Sequence, residues 1–407
     1  MTWIPKYGRW RNRCLRMLKN KTQAGGMEML FDAKHEMIRK LCREFAENEL
    51  EPRAVETDKT GIIDPEVFKM AGRYGFSGIT IPKEYGGMGS DYKALAIACE
   101  EFCAKDVSSS SVLMSNSLSG APFKNYGTEE QKQKYLVPLA KGETLASFGL
   151  TEPGAGCDSG SVTTTADLQE DGSYILNGRK TFITLAPLCD YVTIFAKTDL
   201  KAGTRGITAF IVESKWDGFS VGKPEEKMGI HGSCTADIIL ENVRVPKENV
   251  LGKVGKGFGL AMGTLDAGRI TVAAQALGAA KGALDEAVKY SKERVQFGRT
   301  ISKFQNTQFE LADMATKVEA ARQLVYSAAD KLDHGQNVTT EAAMAKYFAS
   351  EVAVEVANKA VQIHGGYGYM REYAVERIYR DARIMPIYEG TSEIQKLVIS
   401  RAVLADK

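Results

Sequence analysis

The sequence predicts an α+β protein that is mostly α-helical, in which a small β domain lies between two helical domains. Apolar residues recur at intervals typical of a helix face in the first and last parts of the chain. Between them, short segments rich in β-branched and aromatic residues are separated by turn residues. This order predicts an N-terminal helical domain at 27–147, a middle antiparallel β domain at 148–255 and a C-terminal helical bundle at 256–407.

The N-terminal helices are predicted from periodicity and from their first residues. Apolar residues such as Leu30, Ile38 and Phe45 mark a first amphipathic helix. Asp64 followed by Pro65 is typical of an N-cap and the first position of a helix. Further helices are expected near 90–105 and 128–140, with Thr128 as N-cap of the latter.

The middle domain shows no helical pattern between its strands, which indicates an antiparallel sheet rather than parallel βαβ units. The predicted strands lie at 145–151, 162–168, 174–184, 191–197, 207–213 and 236–245. The glycine pattern at Gly252, Gly255 and Gly257 is not followed by a βαβ unit, so we predict no Rossmann site there.

The last part of the chain is predicted to be helical again from about 256, with an Ala-rich segment at 270–292 and helices at 305–334 and 340–363. The last of them ends at Gly365-Gly366, which can supply a left-handed cap. Long antiparallel helices joined by short loops predict a bundle.

Composition excludes several classes of function. Of 407 residues, 44% are hydrophobic and 26% charged, and no apolar run approaches the roughly 20 residues that span a bilayer. The net charge is +2, but the charges are unevenly distributed, because residues 1–26 form a leader with seven basic residues and no acidic residue. The remainder has 46 basic against 51 acidic residues, which does not favour binding to nucleic acid.

The leader and the cysteines give indications of the cellular compartment in which the protein is found. Residues 1–26 are compatible with a mitochondrial transit peptide, but they lack Ser and contain Trp3 and Trp10, so a vector remnant or a mis-assigned start fits as well. The seven cysteines are scattered, which indicates reduced thiols, and neither they nor the four histidines predict a metal site. We expect a cytoplasmic bacterial protein, or a mitochondrial matrix protein if the leader is a transit peptide.

The segment Ile387–Gln395 has the composition of a site for proton transfer. Glu389 lies between Tyr388, which is large and partly apolar, and Gly390, which allows close approach of a ligand. A carboxylate in such surroundings can have a raised pKa and act as a base. The structural alternative is a helix start with Thr391 or Ser392 as N-cap.

Three further motifs could contact a ligand, and each also has a structural explanation. Leu150–Asp158 is a Gly- and Pro-rich loop that follows a strand. Arg294–Arg299, with Gln305 after it, places a phosphate-binding guanidinium near an aromatic residue, or is a solvated helix end. In His364–Tyr369 the histidine could be a base, but a histidine at a helix end more often caps carbonyls.

Taken together, these motifs resemble the acyl-CoA dehydrogenase family over about residues 28–405. The matching segments are Leu150–Asp158, Phe182–Thr184, Asp266–Arg269, Arg294–Gly298, Gln362–Gly366 and Tyr388–Gln395. The resemblance implies an N-terminal helical domain, a middle β domain and a C-terminal four-helix bundle. It also implies FAD between the β domain and the bundles, no metal, and a homotetramer built as a dimer of dimers.

The resemblance assigns Glu389 as the catalytic base that removes the α-proton of an acyl-CoA thioester while the β-hydride passes to flavin N5. The thioester carbonyl would be polarised by a ribityl hydroxyl of the flavin and the backbone amide of Glu389. The implied cofactor-binding residues are Phe148, Leu150, Thr151, Cys157, Phe182, Thr184, Arg294, Phe297, Gln305, Gln362, Gly365, Gly366, Thr391 and Glu393. Of these, Arg294, Phe297 and Gln305 would bind the FAD of the neighbouring subunit, with Gln362–Gly366 helping. The implied substrate-binding residues are Cys157, Asp266, Arg269, Tyr388 and Gly390.

Two positions qualify this assignment. One branch of the family carries its base on an earlier helix, where this chain has Gly268, so Glu389 is the only candidate that the resemblance offers. Cys157 stands where the family usually has Ser or Thr beside the pantetheine, and a thiol is a poorer hydrogen-bond partner.

We therefore expect FAD-dependent α,β-dehydrogenation of a short-chain acyl-CoA to the trans-2-enoyl-CoA, with electrons passing to an electron-transfer flavoprotein. The segments 265–270 and 274–278 are most similar to the butyryl-CoA type. In contrast, Leu185–Asp190 is similar to enoyl-CoA reductases, including those for arylacryloyl thioesters, so the physiological direction could be reversed. An assembly homologue without a base is disfavoured by Glu389, Arg294 and Thr151, and acyl-CoA oxidases are usually much longer.

Overall fold

A computed structural model describes residues 31–405, and the basic leader with its possible origins lies outside the described residues. The mostly helical α+β architecture is confirmed. The N-terminal part contains helices α1 (Ala33–Phe45), α2 (Ala54–Thr60), α3 (Pro65–Tyr74), α4 (Tyr92–Cys103), α5 (Val107–Tyr126), α6 (Glu129–Gln131) and α7 (Val137–Lys141). Both predicted caps form: Asp64 accepts from Glu66 N at 3.0 Å, and Thr128 Oγ1 accepts from Gln131 N at 3.2 Å.

Helix α5 was not predicted, because its sequence lacks the usual indications. It starts with Ser108–Ser111, and serine is a modest helix former. Most of its residues are buried, around the whole circumference of the helix, so its sequence shows no single apolar face. Its start is fixed by Asp106, whose carboxylate accepts from the backbone N–H groups of Ser108 and Ser109, both at 3.2 Å. The serines therefore lie inside the molecule beside the later helices.

The middle part forms an eight-stranded sheet. The strands are β1 (Ala146–Gly149), β2 (Thr165–Leu168), β3 (Tyr174–Thr184), β4 (Tyr191–Lys197), β5 (Ile207–Glu213), β6 (Phe219–Val221), β7 (Thr235–Val245) and β8 (Val250–Leu251). Their order in the sheet is β6-β7-β3-β2-β4-β5-β8, with β1 paired to β4. Most neighbours are antiparallel, as predicted, but β1 runs parallel to β4 and β2 meets β4 in one parallel pair. The β3–β7 register shifts between Lys180 and Ile183, which turns Phe182 out of the ladder.

The last part is again helical, with α8 (Gly257–Glu293), α9 (Gln305–Asp333), α10 (Thr339–His364), α11 (Ala374–Ala382) and α12 (Ser392–Val403). A small hairpin of β9 (Val295–Gln296) and β10 (Arg299–Thr300) joins α8 to α9. Helix α8 packs against α4, α5, α9 and α10, so it connects both helical parts. No helix within residues 31–405 is both long and apolar enough to cross a bilayer.

A polar junction ties the segment before α12 to the rest of the molecule. Arg380 donates to both carboxylate oxygens of Asp58, at 2.9 and 2.7 Å. The buried Asp381 accepts from the backbone N–H of Ile230 at 2.5 Å, and burial raises the pKa of Asp381 to about 7. Because Arg380 and Asp381 precede the turn that carries Glu389, these bonds fix that turn against the N-terminal helices and the β domain.

Candidate active site

The turn between α11 and α12 carries Glu389 and ends in a capped helix. Ser392 N donates to Pro386 O at 2.9 Å, which closes the turn. Thr391 Oγ1 accepts from Ile394 N at 3.4 Å, so Thr391 is the N-cap of α12 and Glu393 lies in its first turn. The helix start that the sequence predicted as the structural alternative is therefore present. This capped helix positions the turn just before it, which carries Glu389.

Glu389 has the environment of a strong carboxylate base. Its Oε2 is shielded from solvent and has no hydrogen-bond partner within residues 31–405. Burial raises the pKa of Glu389 to about 7, while the charges of Lys346 and Arg269 oppose that rise. Its backbone has φ +54°, a left-handed conformation that is rare for residues other than glycine. A group with this pKa can both accept and release a proton near neutral pH.

Two side chains hold the carbonyl groups around Glu389. The amide of Gln395 donates to Glu389 O at 3.2 Å and to Gly390 O at 2.9 Å. Lys346 Nζ on α10 also donates to Gly390 O, at 2.8 Å. The peptide groups of residues 389 and 390 are therefore fixed from two directions.

Helices α8 and α5 form the wall that faces the carboxylate. A Cβ atom added at Gly268 on α8 would lie 3.3 Å from Glu389 Oε2 and 3.0 Å from Leu118 Cδ1 on α5. Further along α8, Gln275 Oε1 accepts from the hydroxyl of Tyr388 at 2.8 Å. The absence of a side chain at Gly268 thus avoids a close contact with the Glu389 carboxylate, and a glycine cannot itself be a base.

The predicted substrate-side pair lies on α8. Arg269 donates to Asp266 Oδ1 at 2.6 Å, and Thr339 Oγ1 donates to Asp266 Oδ2 at 2.7 Å. Arg269 Nε is buried without a partner in the part of the chain that the structure describes. The structure therefore places a cation with an unused donor on the helix that faces Glu389.

The β domain brings together several of the residues that are expected to line a flavin ring. Thr181 N donates to Thr151 O at 2.9 Å, which brings the loop after β1 next to the bulge at Phe182. Phe182 has φ +57° and is 66% exposed, an unusual degree of exposure for a large apolar side chain within a strand. Cys157 Sγ lies 4.0 Å from Thr391 Oγ1, so this loop also reaches the turn beside Glu389. Thr184 and Phe148 are half-buried nearby on β3 and β1, while Leu150 is buried.

A buried ion pair anchors that loop. Lys180 Nζ donates to Glu152 Oε1 at 2.7 Å, to Phe195 O at 2.6 Å and to Leu150 O at 3.3 Å. Glu152 also accepts from the backbone and hydroxyl groups of Thr163 and Thr164. These donors and Lys180 outweigh the effect of burial and hold the pKa of Glu152 at about 2, whereas burial lowers the pKa of Lys180 to about 8.

The remaining cofactor candidates lie elsewhere on the chain. Arg294, Gly365 and Gly366 line one cavity of about 550 Å³. Phe297 in the hairpin is 94% exposed with φ +52°, and Gln305 and Gln362 are exposed at the adjoining ends of α9 and α10. A second cavity of about 530 Å³ is lined by Thr391 and Glu393 and shares no residue with the first. His364 lies in the first cavity, where its Nδ1 is 2.8 Å from Ala360 O and its ring stacks on Tyr290.

Sequence reasoning missed Lys346, Gln395, Gln275 and the Glu152–Lys180 pair. A usable indication existed for Lys346, because it lies on the apolar face of α10 with Ala342, Ala349 and Ala353. A lysine on such a face is buried and needs a partner. Gln275 contacts a residue 113 positions away, and Gln395 contacts the carbonyls five and six residues before it. No pattern in the sequence indicates either contact.

Known proteins are similar to this chain over nearly its whole length. The acyl-CoA dehydrogenase N-terminal domain matches residues 32–143, the middle domain 147–243 and the C-terminal domain 255–404. The 3-(aryl)acrylate reductase of Clostridium sporogenes is 56% identical over 92% of this chain and 100% of its own length. The caffeyl-CoA reductase-Etf complex subunit CarC of Acetobacterium woodii is 54% identical over the same shares. The structure of butyryl-CoA dehydrogenase from Megasphaera elsdenii has a TM-score of 0.90 and 46% identity, and covers 94% of this chain and 100% of that one.

Proposed function

This chain belongs to the acyl-CoA dehydrogenase family, and we propose that it converts a short-chain acyl-CoA to the trans-2-enoyl-CoA, with Glu389 as the base. The family assignment makes it an FAD-dependent oxidoreductase. One observation carries the proposal: Glu389 Oε2 is shielded from solvent, has no hydrogen-bond partner among residues 31–405, and faces Gly268, where no side chain crowds it.

Each group of residues has a separate task in this reaction. Glu389 Oε2 takes the α-proton of a thioester that lies against Gly268. Gln395 and Lys346 hold the carbonyls of residues 389 and 390, which fixes the backbone directly after Glu389. The N–H of Glu389 would polarise the thioester carbonyl. Thr151, Phe182 and Thr184 form the wall for the flavin ring, and Thr391 and Glu393 bind the cofactor from the bundle side. Bound FAD supplies the acceptor for the β-hydride.

The test follows flavin bleaching under anaerobic conditions with a panel of saturated CoA thioesters. We expect butyryl-CoA to bleach the wild-type protein. Glu389→Gln preserves side-chain shape but cannot accept a proton, so it should retain FAD and bleach about 100- to 10,000-fold more slowly. Glu226→Gln, whose side chain is exposed beside Lys223, is the matched control and should behave as wild type. Bleaching of Glu389→Gln at the wild-type rate would place the base elsewhere.

A second function on the same site is reduction of 2-enoyl thioesters, including arylacryloyl-CoA. The names of the two relatives described above, an arylacrylate reductase and a caffeyl-CoA reductase, favour it, as does Leu185–Asp190. The assay is reoxidation of the reduced protein by crotonyl-CoA and by cinnamoyl-CoA. Faster reoxidation by cinnamoyl-CoA than by crotonyl-CoA would support the aryl substrate, and no reoxidation by it would exclude that substrate.

We further propose a homotetramer, an electron-transfer flavoprotein as redox partner and a cytoplasmic location. The separation of Arg294 from Thr391 into two cavities supports an oligomer in which each FAD is bound by two chains. The Etf complex named for the Acetobacterium woodii relative supports the redox partner. The bacterial sources of the relatives support the location.

A further inference from the structure

Lys346 is a fully buried lysine whose charge has no role in the reaction as described. It lies on α10 with an exposed fraction of 0%, on the same helix face as the buried Ala342, Ala349 and Ala353. Burying an ammonium group is costly unless nearby groups compensate for the lost water. An alanine or leucine would pack on this face without that cost, so the charge calls for an explanation at the site.

The charges around Lys346 come from several elements. Glu389 on the turn and Glu393 on α12 are acidic, and so is Glu351, further along α10. Arg269 on α8 is the nearby cation, and it is partly neutralised by Asp266. Burial lowers the pKa of Lys346 to about 8, with the three acids opposing this effect. Lys346 therefore remains mostly cationic at neutral pH.

We propose that Lys346 is a positioning residue for the reaction, which fixes the carbonyl of Gly390 and uses its charge to keep Glu389 ionised and ready to accept a proton. The first role follows from the 2.8 Å bond between Nζ and Gly390 O. The second follows because Glu389 has no hydrogen-bond donor on Oε2 in residues 31–405, so nearby cations are what stabilises its anion. This inference rests on the proposed function, in which Glu389 is the base.

The test separates charge from hydrogen bonding. Lys346→Gln keeps a donor for Gly390 O and removes the charge, Lys346→Met removes both, and Lys346→Arg keeps both. The rate of flavin bleaching by butyryl-CoA is measured across pH, with FAD content and melting temperature as checks on folding. We expect the midpoint of the pH profile to move to higher pH in Lys346→Gln and Lys346→Met. Lys346→Arg should retain the wild-type midpoint.

The size of the effect follows from the fraction of Glu389 that is ionised. Well below the midpoint, only the small ionised fraction of the base can accept a proton. Each pH unit by which the midpoint rises therefore lowers the bleaching rate there by about tenfold. Above both midpoints the charge-neutral variants should approach the rate of Lys346→Arg, because Glu389 is then ionised in all of them.

An unchanged midpoint in a folded, FAD-containing Lys346→Gln would overturn the proposal, because a structural role alone lowers rates without moving the profile. If the neutral variants do not fold, the pKa of Lys346 is measured instead, by NMR titration of ¹³C-labelled lysine in the wild-type and Glu389→Gln proteins. Coupling between two sites is reciprocal, so loss of the Glu389 charge must lower the pKa of Lys346. An identical Lys346 titration in both proteins would refute the inference, whereas an active Glu389→Gln would refute the proposed function itself.

Discussion

Burial moves the pKa values of Glu389 and Lys346 toward each other, to about 7 and about 8. The sequence could predict the first shift, because an aromatic residue and a glycine flank the carboxylate. The apolar face of α10 indicates that Lys346 is buried and that its pKa is lowered, but the sequence could not predict its partner, a carbonyl 44 residues away. The sequence also could not predict the backbone strain at the site. Glu389, Phe182 and Phe297 are among the few described non-glycine residues with positive φ. Such strain is held by surrounding structure and often lies at functional sites.

The raised pKa of Glu389 predicts how stability depends on pH. In the unfolded chain this carboxyl has its ordinary pKa of 4.5, and in the folded protein about 7, so the folded state binds more protons between these values. The stabilising effect of protonation is complete below pH 4.5 and is lost as pH rises to 7. Glu389→Gln avoids this loss and should be more stable than wild type above pH 7, by roughly 3 kcal/mol.

Denaturant unfolding at pH 8 and pH 5 checks that difference, with both proteins carrying the same amount of FAD. The advantage of Glu389→Gln should shrink at the lower pH. A difference in free energy of unfolding that is equal at both pH values would mean that Glu389 has an ordinary pKa. Glu226→Gln again serves as the control, because that side chain is exposed.

Gly268 predicts a steric effect that is separate from acid–base chemistry. In Gly268→Ala the new methyl group would lie 3.0 Å from Leu118 Cδ1 and 3.3 Å from Glu389 Oε2. We expect it to narrow the space for the thioester and to slow bleaching at least tenfold while FAD remains bound. Leu118→Ala in the same protein should restore part of the rate by returning space. Wild-type bleaching by Gly268→Ala alone would show that the substrate does not pass between α8 and the base.

At the scale of elements, prediction succeeded where periodicity or capping was strong and failed for the serine-rich helix α5. The caps at Asp64 and Thr128 are confirmed, and so are the long helices α9 and α10. Helix α8 begins at Gly257, in agreement with the helical region predicted from about 256, although glycines weaken the helical pattern before the Ala-rich segment at 270–292. One of these glycines, Gly268, faces Glu389, so a poor helix former occupies the position where a Cβ atom would crowd the carboxylate.

The Glu152–Lys180 pair predicts that the loop after β1 depends on one buried contact. Lys180→Met leaves the Glu152 carboxylate buried without its cation, which typically costs about 3–5 kcal/mol. Because the same loop carries Thr151, FAD retention after gel filtration should fall as well. Glu152→Gln in addition to Lys180→Met removes the orphaned charge and should recover part of the stability. Lys223→Met at an exposed pair is the control and should leave stability nearly unchanged.

At the scale of the whole molecule, the residues expected to bind FAD do not meet within one chain. The resemblance could assign Arg294 to a neighbouring subunit, but single-chain patterns of spacing and periodicity carry no information about a partner. The structure adds that Arg294, Gly365 and Gly366 line one cavity, while Thr391 and Glu393 line another. Exposure of Phe297 beside Arg294 fits a hairpin that is covered in an assembly.

Hybrid oligomers test this division of the site between chains. Arg294→Ala alone should lose FAD, because the guanidinium that would bind the pyrophosphate is removed. Glu389→Gln alone should keep FAD without turnover. If Arg294 serves the neighbouring FAD, a hybrid pair of the two variants contains one complete site: the Arg294→Ala chain keeps Glu389 and receives Arg294 from its partner. Co-expression in equal amounts should then restore about a quarter of wild-type activity, since half of randomly formed pairs are hybrids with one active site of two. If Arg294 instead bound the FAD of its own chain, each hybrid site would lack either cofactor or base, and co-expression would restore nothing.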